Sequence, residues 1–197
     1  MQEYPVKLIV GLGNPGPKYR NHRHNTGQWY ADAVCRAWHA EWRPESRFAG
    51  EMARVDIDGN DVRLLFPATF MNRSGQSVGA VCRYFNIEPE NILVAYDEID
   101  FPAGTTRFRF GGGHGGHNGI RDIIQALGGQ RDFYRLRIGV GHPGDKSMVA
   151  NYVLSDPSRS EAQVIQDTID DAVRVTPSAV RGQWQAVMRD MHTRATD

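Results

Sequence analysis

The chain has 197 residues, of which 40% are hydrophobic and 23% are charged, and its 23 basic residues are balanced by 23 acidic ones. This length and composition are typical of one globular domain with a substantial core, so we expect residues 1–197 to form a single domain. The zero net charge excludes a protein that binds polyanions indiscriminately through its overall charge.

The two cysteines and the short apolar runs indicate where the protein works. Cys35 and Cys82 provide neither a disulfide framework nor the spacing of a metal site, and both lie in apolar patterns typical of buried free thiols. No signal peptide and no membrane span are recognisable in the sequence. We therefore expect a cytoplasmic protein without a membrane partner.

The first predicted elements are a strand and a helix joined by a polar loop. The β-branched run at residues 6–12 is typical of a buried strand. Thr26 is a suitable N-cap for a helix over residues 27–40. The predicted inward face of this helix carries apolar residues at helical spacing: Tyr30, Val34, Ala37 and Trp38.

The loop after the first strand contains three glycines that match G-x-G-x-x-G, the fingerprint of dinucleotide-binding folds. In those folds the third glycine opens a helix. Here Pro15 and Pro17 bracket the third glycine, Gly16, and the residues that follow lack a helical apolar pattern. We therefore expect no dinucleotide cofactor.

A hairpin and a second helix follow. Two strand-like segments flank Asp58-Gly59-Asn60, which predicts a tight turn between them. The polar loop at residues 67–75 carries Phe70 and Met71, which we expect to be exposed. A helix is then predicted to end near Phe85.

The second half of the chain continues the alternation of strands and helices. The apolar strand at residues 92–100 loses its apolar character at Asp97, which places a carboxylate at the carboxyl edge of the sheet. An alternating strand at 105–110 leads through a glycine-rich loop into a helix. A further strand, at 134–140, precedes two helical stretches after Ser158. This order of elements predicts an α/β domain with a mixed sheet.

A histidine base and several carboxamides are the candidate chemical groups. His24 has an ordinary pKa of about 6.5, which suits a group that takes and returns protons near neutrality. A carboxylate such as Asp97 would fix its tautomer and stabilise the imidazolium. Carboxamides of Asn14, Asn72 and Asn118 could orient water or donate to an oxyanion. No serine or cysteine lies in a nucleophile motif, so a water nucleophile is favoured.

Two further groups of residues could bind a metal or phosphate, or could be ordinary solvated surface groups. His114 and His117 lie in a glycine loop without an evident third ligand, so we expect no metal. Residues 105–146 hold seven arginines or lysines against three aspartates. Such a local basic stretch can meet phosphates, although solvated arginines are an equal alternative.

Six segments, in order, resemble the bacterial-type peptidyl-tRNA hydrolase family: GLGNPGPKY, RHNTG, FMNRSG, DEID, GGGHGGHNG and RLRIGVGHPGDK. The resemblance covers residues 7 to about 154. The resemblance implies a monomer with a twisted mixed sheet flanked by helices. It also implies hydrolysis of the ester between a peptide and the 3′ end of tRNA, which recycles drop-off products of translation.

The resemblance assigns roles to individual residues. His24 corresponds to the general base, Asp97 to the carboxylate that keeps it basic, and Asn14 to the residue linked to telling blocked from unblocked aminoacyl-tRNA. Substrate-contacting positions correspond to Tyr19, Phe70, Met71, Asn72 and Asn118. The basic residues that correspond to the tRNA grip are Arg109, Arg137 and Lys146. No metal or other cofactor is implied.

Two other functions stay open at this point. A module that binds tRNA or other RNA without catalysis would use the same arginines and aromatic residues, but it would not need a histidine base. A generic esterase would use the same base without requiring tRNA. Activity on esters that lack tRNA would distinguish the latter.

Overall fold

The computed structural model describes residues 2–192, which form a seven-stranded sheet with helices on both faces. The strands are β1 (Leu8–Gly11), β2 (Arg43–Glu45), β3 (Gly50–Ile57), β4 (Asn60–Pro67), β5 (Ile92–Glu98), β6 (Thr106–Phe110) and β7 (Tyr134–Gly139). The α-helices in these residues are α1 (Thr26–Ala37), α2 (Ser74–Phe85), α3 (Asn118–Ala126), α4 (Val149–Val153), α5 (Arg159–Val180) and α6 (Trp184–His192).

The sheet is mixed, as the order of predicted elements indicates. Its strand order is β2-β3-β4-β1-β5-β7-β6. The four central strands, β4, β1, β5 and β7, are parallel to one another, whereas β2, β3 and β6 are antiparallel to their neighbours. The carboxyl ends of the parallel strands therefore meet at one edge, where open α/β sheets gather their ligands. The predicted fold class is confirmed.

The hydrophobic core lies on both faces of the sheet. Ile9 belongs to the layer covered by α1, α5 and α6, whereas Leu8 and Val10 belong to the layer covered by α2 and α3. Successive side chains of a strand point to opposite faces, so a strand covered on both sides is apolar throughout. This explains the uninterrupted apolar run of β1.

The predicted hairpin is present between β3 and β4. Asp58 and Gly59 have φ angles of 51° and 87°. Positive φ at both central residues is the requirement of the two-residue turn that matches the twist of a hairpin, and aspartate followed by glycine meets it at low cost.

Helix α1 approaches the sheet closely because glycines occupy the contact. A β-carbon on Gly11 would lie 2.6 Å from the β-carbon of Ala31. A β-carbon on Gly27 would overlap the carbonyl oxygen of Ala95 in β5. The backbone N–H of Leu12 also donates to that carbonyl, at 3.1 Å. These contacts hold the loop that precedes α1 beside the carboxyl end of β5.

Some local predictions were wrong. Ala37 is exposed and does not belong to the inward face of α1, whereas Cys35 is buried in α1 as expected. Thr26 is the first residue of α1 rather than its N-cap, and its hydroxyl donates to the Arg23 carbonyl. Met71 is buried, because the loop that carries it turns this side chain into the layer under α2 and α3.

Two short elements were not predicted. The edge strand β2 has three residues and the helix α4 has five, so neither is long enough to show a periodic apolar pattern. Among residues 2–192, none of the helices combines the length and apolar character needed to cross a membrane.

We predict that Gly27→Ala lowers the free energy of unfolding by about 1–3 kcal/mol, since its β-carbon would meet backbone that cannot move independently. Gly79→Ala, in the middle of α2, is the matched control. Its β-carbon would meet mainly the flexible end of Arg83, and alanine favours a helix by about 1 kcal/mol over glycine. Urea unfolding of both variants checks this, and equal stabilities would contradict the proposed contact.

Candidate active site

The carboxylate of Asp97 and the imidazole of His24 form a hydrogen-bonded pair at the carboxyl edge of the sheet. Asp97 is the penultimate residue of β5, and His24 lies in the 3₁₀ turn directly before α1. His24 Nδ1 lies 2.9 Å from Asp97 Oδ2 and 3.0 Å from Oδ1. An ionised carboxylate only accepts hydrogen bonds, so Nδ1 carries the hydrogen and Nε2 of the neutral ring is left unprotonated.

A second imidazole, that of His117, shares the same carboxylate. His117 Nε2 lies 2.8 Å from Asp97 Oδ1. At the other side of the ring, Nδ1 accepts the backbone N–H of Ile120 at 3.3 Å, which makes His117 the N-cap of α3. Because Nδ1 accepts, Nε2 carries the hydrogen that is donated to Asp97. The sequence indicates His117 only as a candidate metal ligand, because residue spacing carries no signal for a donor to a buried carboxylate.

The pKa values of the pair are shifted in opposite directions. Burial alone would raise the pKa of Asp97, whose side chain is 2% exposed, but attraction to His24 and His117 and the hydrogen bonds from both rings outweigh burial. The pKa of Asp97 therefore lies below its ordinary range. Burial alone would lower the pKa of His24, but the Asp97 carboxylate outweighs it and raises this pKa above its ordinary value.

The two histidines and Asp97 line a cleft of ≈ 520 Å³. Its walls come from the end of β5, the glycine-rich loop before α3, the loop after β7, and α4. Two predicted substrate contacts, Asn118 and Lys146, also line it. Within the described part of the chain, no protein group is hydrogen bonded to Nε2 of His24. This nitrogen is therefore available to a molecule in the cleft.

Asn14 is fixed by three hydrogen bonds, but it is not among the residues that line this cleft. Its Oδ1 accepts the backbone N–H of Met71 at 2.8 Å. Its backbone N–H donates to Asn25 Oδ1, and its carbonyl accepts from Asn25 Nδ2. Because Oδ1 is occupied, the orientation of the carboxamide is set, and Nδ2 is the group that it can offer as a donor.

The predicted aromatic contacts lie together next to Asn14. The rings of Tyr19 and Phe70 meet edge to face with their centres 6.2 Å apart, and Phe70 is 58% exposed. Met71, the next residue, is buried. A β-carbon on Gly119 would lie 2.6 Å from the Met71 sulfur, so this side chain packs against the start of α3.

The two remaining asparagines are exposed. Asn118 is the first residue of α3, and its Oδ1 accepts from Arg121 Nη1 at 3.1 Å. Its amide hydrogens are thus the part of the side chain left for another molecule. Asn72 lies in the 3₁₀ turn before α2.

The three predicted tRNA-binding cations have different surroundings. Lys146 is exposed and lines the cleft. Arg137 is partly buried and binds Glu98 through Nη2 at 2.7 Å and Nε at 2.8 Å, so its charge is already balanced. Arg109 is exposed, but in the sheet it pairs through β7 with the early part of β5 and does not line the cleft.

Arg135 belongs to the same basic stretch but is not a surface cation. It is 1% exposed and donates to the carbonyls of Gly112 and Gly113 at 2.7 Å and of Arg131 at 3.1 Å. Burial lowers its pKa. Its function in the structure is to hold the start of the glycine-rich loop that leads to His117.

His24, Asp97 and His117 also bring three potential metal-ligand atoms within 4.8 Å of one another. Hydrogen bonds from both rings to the carboxylate account for this geometry. His114, the other histidine of the predicted pair, is not part of this group, since its Nδ1 accepts the N–H of Gly116 at 2.9 Å.

Comparison with known proteins identifies the family of the chain. The sequence profile described as peptidyl-tRNA hydrolase matches residues 8–197. The peptidyl-tRNA hydrolase of Shewanella loihica is 50% identical over 188 residues, which cover 95% of this chain and 96% of that protein. That of Shewanella sediminis is 52% identical over 188 residues, with 95% and 97% covered.

A solved structure agrees with these sequence matches. The crystal structure of peptidyl-tRNA hydrolase from Acinetobacter baumannii matches with a TM-score of 0.92 and 42% identity, covering 95% of both chains. The resemblance indicated by the six motifs is confirmed. The chain belongs to the peptidyl-tRNA hydrolase family.

Proposed function

We propose that this protein hydrolyses the ester between a peptide and the 3′ end of tRNA, with His24 as the general base. The observation that carries the proposal is the state of the His24 ring. Asp97 holds Nδ1, whereas Nε2 is unprotonated and available in the cleft. This is the arrangement that a base needs to remove a proton from a water molecule.

The reaction follows from this geometry in two proton transfers. Nε2 of His24 accepts a proton from water while the water oxygen attacks the ester carbonyl. The resulting imidazolium is stabilised by the Asp97 carboxylate. When the tetrahedral intermediate collapses, the C–O bond to the tRNA breaks and His24 returns the proton to the 3′ oxygen. The products are a free peptide carboxyl group and tRNA.

The carboxamides supply donors for the ester. Because Asn14 Oδ1 and Asn118 Oδ1 are both occupied, each side chain presents its amide hydrogens. We assign these donors to the carbonyl oxygen of the substrate or to the attacking water. Asn72, Tyr19 and Phe70 are proposed to contact the peptide or the terminal nucleotide beside them.

Lys146 is the proposed phosphate contact of the cleft, because it is exposed there and is not in an ion pair within the described residues. Arg137, near the carboxyl end of the parallel strands, and Arg109, further from the cleft, are proposed as secondary contacts. We also propose that the enzyme acts as a monomer in the cytoplasm, where tRNA esters are produced by translation.

We predict that His24→Ala lowers kcat on N-acetyl-aminoacyl-tRNA by about 10²- to 10⁴-fold, the usual contribution of a positioned base. His114→Ala is the matched control, because His114 lines the same cleft without contacting Asp97. Release of tRNA is measured for both variants, with unblocked aminoacyl-tRNA as the comparison substrate. A folded His24→Ala protein with near-normal turnover would overturn the assignment of the base.

We predict that kcat/KM of the wild-type protein rises with pH through a midpoint above the ordinary histidine pKa of about 6.5. The raised pKa of His24 means that its charged form stabilises the fold at low pH, and that this stabilisation is lost as the pH rises through the folded-state pKa. The neutral base appears over the same range.

Asp97→Asn should move this midpoint to lower pH and lower kcat by about tenfold or more, because the neutral amide no longer attracts the imidazolium, and its NH2 group favours the wrong tautomer of His24 where it faces Nδ1. The pH profile of kcat/KM for both proteins tests the pair. An unchanged midpoint in the variant would show that Asp97 does not control the base.

We predict that Lys146→Ala raises KM for peptidyl-tRNA with little change in kcat. In a plot of log(kcat/KM) against log salt concentration, the variant should have a slope that is less steep by roughly 0.7 to 0.9, the contribution of one phosphate contact. Lys7→Ala is the control, because Lys7 is exposed just before β1, at the opposite edge of the sheet. If both variants have the same KM and salt slope, the cleft does not hold a phosphate at Lys146.

A further inference from the structure

A groove outside the catalytic cleft contains several arginines beside aromatic rings. It covers β2, β3 and β4 next to the carboxyl end of α2, with a volume of ≈ 480 Å³. The residues that matter here are Arg43, Arg47, Arg54, Arg63, Phe48 and Phe85. None of the residues that line this groove lines the catalytic cleft, so the proposed reaction does not explain it.

Two of these arginines lack an acidic partner. Arg54 binds both oxygens of Asp61, at 2.9 and 3.0 Å. Asp61 is attracted by Arg63 as well, but its carboxylate is already occupied. Within the described residues, neither Arg47 nor Arg63 has a carboxylate oxygen within 4.0 Å, and both guanidinium groups therefore remain available to an anion.

The acidic residues of the groove do not cancel its positive charge. The lining contains four arginines but only two acidic residues, Glu41 and Glu45. Glu41 lies 4.0 Å from Arg43, and both side chains are at least 78% exposed at the rim. The inner part of the groove is thus positively charged.

Aromatic rings fix the two unpaired guanidinium groups. The guanidinium carbon of Arg47 lies 4.4 Å from the ring centre of Tyr84 and 4.9 Å from that of Phe48. That of Arg63 lies 3.8 Å from the ring centre of Phe85. A guanidinium group that stacks on an aromatic ring keeps its N–H edges free to bind phosphate oxygens, and loses less side-chain entropy when it does so.

Tyr84, which contacts the groove residues Arg47 and Phe48, provides an exposed aromatic surface beside the groove. Its ring packs edge to face on Phe85, at 4.8 Å between centres, and on Phe48, at 5.4 Å. It is nevertheless 55% exposed, which makes it one of the most exposed large hydrophobic residues described here. Such a ring can stack with a nucleic-acid base.

We propose that this groove is a second RNA-binding site, which holds an unpaired stretch of RNA with its phosphates at Arg47 and Arg63 and one base on Tyr84. An acidic peptide would pair with the arginines but would leave the Tyr84 ring unused. The choice of RNA rests on the proposed function, because that function already requires this protein to bind a tRNA.

The test is the binding of a fluorescein-labelled uridine octaribonucleotide, followed by anisotropy at several salt concentrations. Two phosphate contacts to a single strand predict a log–log salt slope of about −1.4 from the groove, and Arg47→Gln should remove about half of it. Tyr84→Ala should weaken binding by about 5- to 150-fold, the loss expected for one stacked base, whereas Tyr84→Phe should retain affinity.

The Lys146→Ala variant distinguishes RNA binding at the groove from RNA binding at the catalytic cleft. We expect the Tyr84 and Arg47 variants to weaken binding to the same extent in the Lys146→Ala background. If the octaribonucleotide does not bind to the wild-type protein, or if Lys146→Ala alone removes binding while the groove variants have no effect, the proposed site does not exist. Equal or tighter binding of a glutamate octapeptide at the groove would also overturn the assignment to RNA.

Hydrolysis of N-acetyl-aminoacyl-tRNA distinguishes failure of this inference from failure of the proposed function. The groove variants should keep the wild-type kcat, since none of these residues contacts the cleft. If the enzyme is active but its RNA binding does not depend on Tyr84 or Arg47, only the proposed groove site is refuted. Wild-type protein that binds the octaribonucleotide but does not hydrolyse the ester refutes only the catalytic function.

Discussion

The burial of one negative charge, that of Asp97, is the constraint on which the candidate active site depends. A carboxylate removed from water is strongly unfavourable unless it is hydrogen bonded, and here the imidazoles of His24 and His117 provide the donors. Satisfying the carboxylate fixes the tautomer of both rings at once. For His24 this leaves Nε2 unprotonated, so the same contacts that make the buried charge tolerable also prepare the group that we propose as the base.

The backbone brings these three side chains together through close contacts at both helices. Gly27 lets α1 approach the carbonyl of Ala95, which sets the turn containing His24 beside the end of β5. His117 accepts an N–H of the first turn of α3 and donates to Asp97 with its other nitrogen. The start of α3, and with it Asn118, is therefore tied to the buried carboxylate. A substitution at the start of either helix should therefore disturb the position of the His24 imidazole.

The sequence allowed the sheet, the hairpin and the position of Asp97 to be predicted, because these features depend on local apolar patterns and turn residues. It did not reveal His117, since a donor to a buried carboxylate looks the same in sequence as a solvated histidine. Arg135 alternates with apolar residues as an exposed side chain would. In the structure both faces of β7 are covered, and Nη1 and Nη2 of this arginine donate to the carbonyls of a glycine loop. Such roles depend on which distant segments meet, which residue spacing does not encode.

Whether a cation is already bound to a group of the protein also decides where a protein of zero net charge can hold RNA. Within the basic stretch, Arg135 serves the fold and Arg137 is bound to Glu98, so counting charges overestimates the cations that face a ligand. The useful cations are those without an acidic partner. Lys146 at the cleft meets this criterion, and so do Arg47 and Arg63 at the groove. Only Lys146 lies in the stretch of sequence where basic residues are concentrated. A long polyanion can be held at two small sites of this kind while the overall charge stays at zero, because each site attracts only the phosphates within about a Debye length of ~8–10 Å.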